Sequence, residues 1–174
     1  MTEATYFMDF NDVLSPKTDL IPSGTFVKVK LSITKGGFGS DGFLSQAKTT
    51  GTLYLNTILT VCEGIFVRRK IFYKFGIQST DPQDKWVQKS LRQLRSVLES
   101  ARHILPTDMS EDAKEKRTIK SLQDFEGLEF LIKVGVELSQ NPQYKSSNSL
   151  QAVVTPDWPE YPKEFASSEA NWPF

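Results

Sequence analysis

The nine residues from Phe26 to Thr34 alternate without a break: Val27, Val29, Leu31 and Ile33 occupy every second position, with Phe26, Lys28, Lys30, Ser32 and Thr34 between them. A period of two fits a strand with one face in a core and the other in water, and it does not fit a helix. The hydrophilic side is basic, so this segment predicts a sheet whose outer face carries lysine. Two further segments repeat the pattern. Thr52 to Val61 sets Leu53, Leu55, Leu59 and Val61 against Tyr54, Asn56, Ile58 and Thr60, and Glu63-Gly64 ends it in a turn. Ile65 to Ile77 sets Val67, Ile71, Tyr73, Phe75 and Ile77 against Arg68, Lys70, Phe72 and Lys74, although Arg69 interrupts the apolar row.

The period then changes. Asp81-Pro82-Gln83-Asp84 supplies helix-start chemistry, and Val87, Leu91, Leu94, Leu98 and Ala101 follow at the 4, 3, 4, 3 spacing of an amphipathic helix over Trp86 to Arg102, with Pro106 as the stop. A short polar helix is expected from Ser110, its acids Glu111 and Asp112 leading and Lys114, Lys116 and Arg117 trailing, as the helix dipole favours. Alternation returns in Leu128 to Leu138, with Phe130, Ile132, Val134 and Val136 inward, and in Leu150 to Val154 after the loop 141–148. Residues 1–25, broken by Ser15-Pro16 and Pro22-Ser23-Gly24, read as a lead-in packed on the domain. Gly36 to Phe43 reads as a flexible loop holding two phenylalanines. Beyond Thr155, three prolines in Pro156 to Pro162 and a Ser- and acid-rich end predict a disordered acidic tail, 155–174, tipped by Trp172-Pro173-Phe174. Three strands, a helix and two strands is the order of the five-stranded Greek-key OB barrel, whose helix lies between strands three and four. The expected class is therefore mainly β, α+β in content, with an OB domain over 26–154.

Within 174 residues one such domain is the natural content, and no stretch approaches the ~18 apolar residues of a membrane helix. The first twelve residues hold Glu3, Asp9 and Asp12 and no basic cluster, the reverse of a secretory signal, so a cytoplasmic protein is expected. Net charge is zero, but it is segregated: net −3 over 1–23, +8 over 24–105, −2 over 106–154 and −3 over 155–174. A ligand feels the local field within a Debye length of ~8–10 Å, so the basic centre is the relevant quantity.

Little in the chain suggests catalysis. Gly36-Gly37-Phe38-Gly39 lacks the Lys-Ser/Thr of a phosphate loop. The single histidine, His103, stands at a helix end, where capping the last carbonyls is the expected role. The single cysteine, Cys62, can form neither an internal disulfide nor a cysteine-rich metal site, and reads as a small strand residue. Asp108, Glu111 and Asp112 fall on a solvated helix start. No enzyme, cofactor or metal is expected.

The positive signal is a set of cations and rings. Lys28, Lys30, Arg68, Lys70 and Lys74 with Tyr54 and Phe72 are assigned to the outer faces of three adjacent strands, and Lys35, Phe38, Phe43 and Lys48 to the loop beside them. Cations tracking phosphates and rings stacking on bases at ~1–3 kcal/mol each is the mixture that single-stranded DNA binding requires. Lysines guarding a sheet edge, with Phe72 packed under the N-terminal segment, would account for the same residues without a ligand.

Phe7-Met-Asp-Phe-Asn, Ile21-Pro-Ser-Gly-Thr, Val61-Cys-Glu-Gly-Ile-Phe-Val-Arg-Arg-Lys, Leu94-Arg-Ser-Val-Leu-Glu-Ser-Ala-Arg and Phe125-Glu-Gly-Leu-Glu-Phe-Leu-Ile-Lys-Val carry a further signal. Over residues 7 to 155 the chain resembles a family of bacteriophage and prophage proteins regarded as single-stranded DNA-binding proteins encoded near recombination genes. The terminal Pro173-Phe174 resembles the tip of bacterial single-stranded DNA-binding proteins, with Asn171-Trp172 where those have an Asp and an aliphatic residue. The resemblance implies a protein of the bacterial host cytoplasm that coats single-stranded DNA in replication and recombination and recruits partner enzymes through Trp172, Pro173 and Phe174. Alternatives from other classes are a protein-interaction module or inhibitor on the same barrel, or an accessory subunit of a nuclease or ligase. Self-association is left open by the sequence.

Overall fold

The computed structural model describes residues 9–11 and 19–162. The strands are β1 (Phe26–Thr34), β2 (Ser45–Gln46), β3 (Leu53–Val61), β4 (Lys70–Gln78), β5 (Glu129–Glu137) and β6 (Ser147–Val154). The helices are α1 (Lys85–Ala101) and α2 (Glu111–Lys116), with a 3-10 turn at Leu122–Phe125 before β5. All six strands form one antiparallel sheet in which β1 lies between β3 and β5, β4 flanks β3, and β6 flanks β5. Tyr54 pairs with Ser45 on one side and Gly76 on the other, so the short β2 continues the edge of β3 that β1 occupies. β4 and β6 come within 8 Å of one another between Cα atoms, yet no ladder joins them among the described residues, and the sheet is open.

The pairing register fixes the faces. Val29 opposes Val61, Leu31 opposes Leu59, and Leu59 opposes Ile71, which gathers one apolar side; Leu55, Leu59, Phe75, Phe130 and Ile132 are completely buried there. Burying each such side chain contributes ~1.5–3 kcal/mol. α1 packs along β4, β5 and β6 and adds Leu94, Val97 and Leu98 to the same core. Asp84 caps it, accepting from the backbone N–H of Trp86 and Val87. The helix is rotated from the expected face: Leu91 is 48% exposed while Val97 is fully buried. Ser90 rather than Leu91 meets the core side, because a small residue lets the helix approach the sheet where a leucine would hold it off.

Four other expectations change. The third strand begins at Lys70 rather than Ile65, because Val67 N–H bonds to Gly64 O and Arg69 N–H to Phe66 O, and these turn bonds replace the ladder. The Gly36–Phe43 segment is a small hairpin rather than a flexible loop, held by reciprocal Phe38–Leu44 backbone bonds of 2.9 and 3.0 Å. His103 does not cap α1; Arg102 N–H bonds to Leu98 O, and His103 turns into the left-handed region at φ 58. Its Nδ1 meets the Tyr161 hydroxyl, which itself donates to Ser100 O at 2.9 Å, so the hydroxyl accepts from Nδ1–H. Finally, the chain stays on the domain past Thr155: Thr155 and Tyr161 are buried, and burial drives the Tyr161 phenol far above its ordinary range. The rest of the expected tail, including Trp172, Pro173 and Phe174, lies outside the described residues, as do residues 1–8 and 12–18 of the lead-in.

The described part of the lead-in does pack on the sheet. Ile21 is completely buried, and the Asn148 side chain accepts from Ile21 N–H at 2.9 Å and donates to Ile21 O at 2.8 Å. Arg69, the residue that interrupts the apolar row, donates to Asp19 O from the neighbouring loop. The end of α2 is tied to α1: buried Glu99 takes Arg95 and Arg117 at 2.8 Å each, and Arg117 also donates to the carbonyls of Asp108 and Leu105.

Candidate nucleic-acid interface

The register lines up the outward residues of β1, β3 and β4 in three rows: Lys30, Thr60 and Lys70; Ser32, Ile58 and Phe72; Thr34, Asn56 and Lys74. Each row follows from the alternation, since cross-strand partners share a face. Phe72 is 68% exposed, at the β4 end of the middle row, while its β4 neighbours Ile71 and Phe75 on the other face are buried. Lys70 and Lys74 flank it about 13 Å apart along the strand, at ~3.3 Å per residue. A pocket of about 300 Å³ lies against this ring, bounded by Asn56, Phe72, Tyr73, Lys74 and Glu137. An exposed aromatic between two cations offers a stacking surface with phosphate contacts on either side.

The neighbouring end of the face holds a second aromatic group. Lys74 Nζ sits 5.1 Å over the Tyr54 ring, and Tyr54 meets Trp86 with 6.3 Å between centroids. Trp86 lies over Gly76: a Cβ built there would stand 3.0 Å from the indole. Trp86 does not show in the sequence pattern because it lies one residue, about 100°, to the side of the apolar stripe of α1. A glycine at an outward position of a strand was the available signal, since it marks a close approach.

Of the expected site residues, Lys30, Lys70, Phe72, Lys74 and Tyr54 come together on this face. Lys35 continues from Thr34, Lys48 is exposed in the turn between β2 and β3, and Phe38 is 45% exposed on the hairpin. Three assignments are corrected. Lys28 is 3% exposed and ion-paired to Glu63 at 3.2 Å, so the turn after β3 covers it. Phe43 is 7% exposed with Lys35 Nζ 4.7 Å over its ring, and serves the core. Arg68 stands at the tip of the β3–β4 turn at φ 70, not on the strand face.

The groups weighed for catalysis have structural partners. Cys62 Sγ lies 3.6 Å from Thr60 O. Burial, then the Glu129 and Glu63 carboxylates, push its thiol up against the opposing pull of Lys28 and Lys30, so the reactive thiolate is disfavoured. Asp108 accepts from Ser110 N–H at 2.9 Å, and hydrogen bonds from Ser110 hold its carboxyl below the usual range, as in a capping turn. No group of three or more His, Cys, Asp and Glu is placed to hold a metal among the described residues. Compared with protein-family models and with curated proteins, the chain matches none.

Proposed function

We propose that this chain is a non-enzymatic single-stranded DNA-binding protein of phage or prophage type, built on an OB barrel, which coats exposed DNA during replication and recombination. The order of elements and the neighbours of each strand support the barrel, with α1 packed against β4, β5 and β6. The observation that carries the function is Phe72, 68% exposed between Lys70 and Lys74 on a strand whose other face is buried. Exposing a phenyl ring forgoes ~2 kcal/mol of burial, and a stacked base restores it without regard to sequence. Recruitment of partner enzymes by Trp172, Pro173 and Phe174 belongs to the same reading, on residues outside those described. No described helix is long and apolar enough to cross a membrane.

Anisotropy of labelled oligo-dT across a salt series, with duplex DNA of equal length in parallel, is the test. Three to five cations give a slope of log affinity against log salt between about −2 and −3.5, at ~0.7 per phosphate contact. Duplex binds much more weakly, because its bases are not free to stack. Equal affinity for both forms would overturn the reading, and absence of any DNA binding would favour a protein-interaction module on the same sheet.

A further inference from the structure

Rings and cations also meet where β1, β5 and β6 lie side by side. Phe26 pairs with Lys133, and Lys133 pairs with Ala152. Lys133 Nζ is 5.7 Å over the Phe26 ring, and Trp158, returned by the packed segment after β6, meets that ring edge-on at 6.4 Å between centroids. Beyond Ala152 a groove of about 330 Å³ opens between β6 and α1, bounded by Trp158, Gln151, Lys89 and Arg92. α1 carries Lys85, Lys89, Arg92 and Arg95 and a single acid, Glu99, which is buried and held by Arg95. Lys89 and Arg92 are exposed, and the ion pairs among the described residues do not include them. Asp157, beside Trp158 in sequence, accepts the Thr155 hydroxyl.

Along β1 this cluster is set apart from the face around Phe72, whereas across β4 the two approach: the Tyr73 hydroxyl, beside Phe72, donates to Gln93 Oε1 on the groove at 3.1 Å. The outward row of β1 runs Phe26, Lys28, Lys30, and Glu63 sits on Lys28 with its side chain 62% exposed. The Lys28–Glu63 pair leaves no cation at that point for a phosphate chain running along β1. We propose that the β6–α1 groove is a second single-stranded nucleic-acid site, with Lys89 and Arg92 on phosphates and Trp158 against a base, so that one chain holds two DNA segments at once. The proposal rests on the reading of the sheet face as a DNA site and adds a second one beside it.

Titration of the full chain with an oligo-dT of about six nucleotides, within the span of one OB site, counts the sites. Two oligonucleotides bind per chain. The double substitution Lys89→Gln/Arg92→Gln, on exposed positions, lowers the count to one and leaves the affinity of the remaining site within twofold. Phe72→Ala weakens the other site, and Trp158→Phe removes part of the fluorescence quenching that accompanies binding. A count of one in the parent, lost with Phe72→Ala and unchanged by the double substitution, overturns the second site while leaving the proposed function standing. A count of one lost only with the double substitution overturns the sheet-face reading instead, and no binding at all overturns both. An oligo-glutamate peptide that displaces the oligonucleotide from the groove at similar concentration would make it a docking surface for acidic protein segments and overturn the nucleic-acid assignment.

Discussion

The two ends of β1 carry the same alternation and meet different fates. At Lys30 to Thr34 the outward side chains continue across Thr60, Ile58 and Asn56 to Lys70, Phe72 and Lys74, and the outermost of these stand in solvent. At the other end Glu63 closes over Lys28, and Phe26, 39% exposed, has Lys133 over its ring and Trp158 against its edge. A strand's period decides which side a residue takes, while cover comes from turns far away in sequence. The consequence for binding is direct, because a lysine engaged beneath a carboxylate cannot serve a phosphate as its neighbour two residues on can.

The largest test of that division lies on β4. Phe75→Ala, at a completely buried position, costs ~3–5 kcal/mol of stability in denaturant unfolding, and the same change at Phe72 costs less than ~1 kcal/mol. Comparable losses at both would mean that the face around Phe72 is packed and not open. Next, Tyr161→Phe leaves Ser100 O and His103 Nδ1 without their shared hydroxyl, which costs ~1–3 kcal/mol and loosens the segment that carries Trp158. An unchanged melting temperature would show that this segment is not anchored. On DNA, Lys30→Ala lowers the salt slope by about 0.7 whereas Lys28→Ala leaves it unaltered, since only Lys30 reaches a phosphate. Equal slopes in the two variants would erase the difference between the ends of β1.

The smallest effect concerns pH. Burial, and then the charge of Lys116, hold the His103 imidazole below its ordinary value of 6.5, so the native state binds its proton less readily than the unfolded chain does. Its contribution is complete above 6.5 and is lost as pH falls from there through the lower native value. Thermal melts from pH 8 to 5 therefore show a decline that His103→Gln flattens. A decline of identical size in the variant would assign the acid sensitivity to other groups.

Much of this arrangement was legible in the sequence because it depends on local period. The limits of β1 agree to the residue, β3 starts one residue late, α1 starts at Lys85 where Trp86 was expected, and α2 starts at Glu111, beside the expected Ser110. The losses have a common cause in contacts distant along the chain. Nothing near Lys28 announces Glu63, 35 residues on, and nothing near Thr155 announces that Tyr161 returns to Ser100, 61 residues back. Leu91 and Val97 exchanged places because helical spacing allows either stripe and only the sheet selects one. The two-residue β2 is too short to show a period at all. In the candidate site the alternation located Lys30, Lys70, Phe72 and Lys74, while Trp86 entered through the third dimension, over Gly76.

Whether Phe72 is open in order to stack on a base is decided by Phe72→Ala, measured twice. Anisotropy of oligo-dT against the variant gives its affinity at several salt concentrations, and thermal unfolding of the same sample gives its stability. The expected result is an affinity loss of about 5- to 150-fold, corresponding to ~1–3 kcal/mol, with the salt slope nearly unchanged and the melting temperature within a few degrees of the parent. A variant that melts far lower yet binds DNA with parental affinity while native would contradict it, and would place Phe72 among the residues that hold the fold.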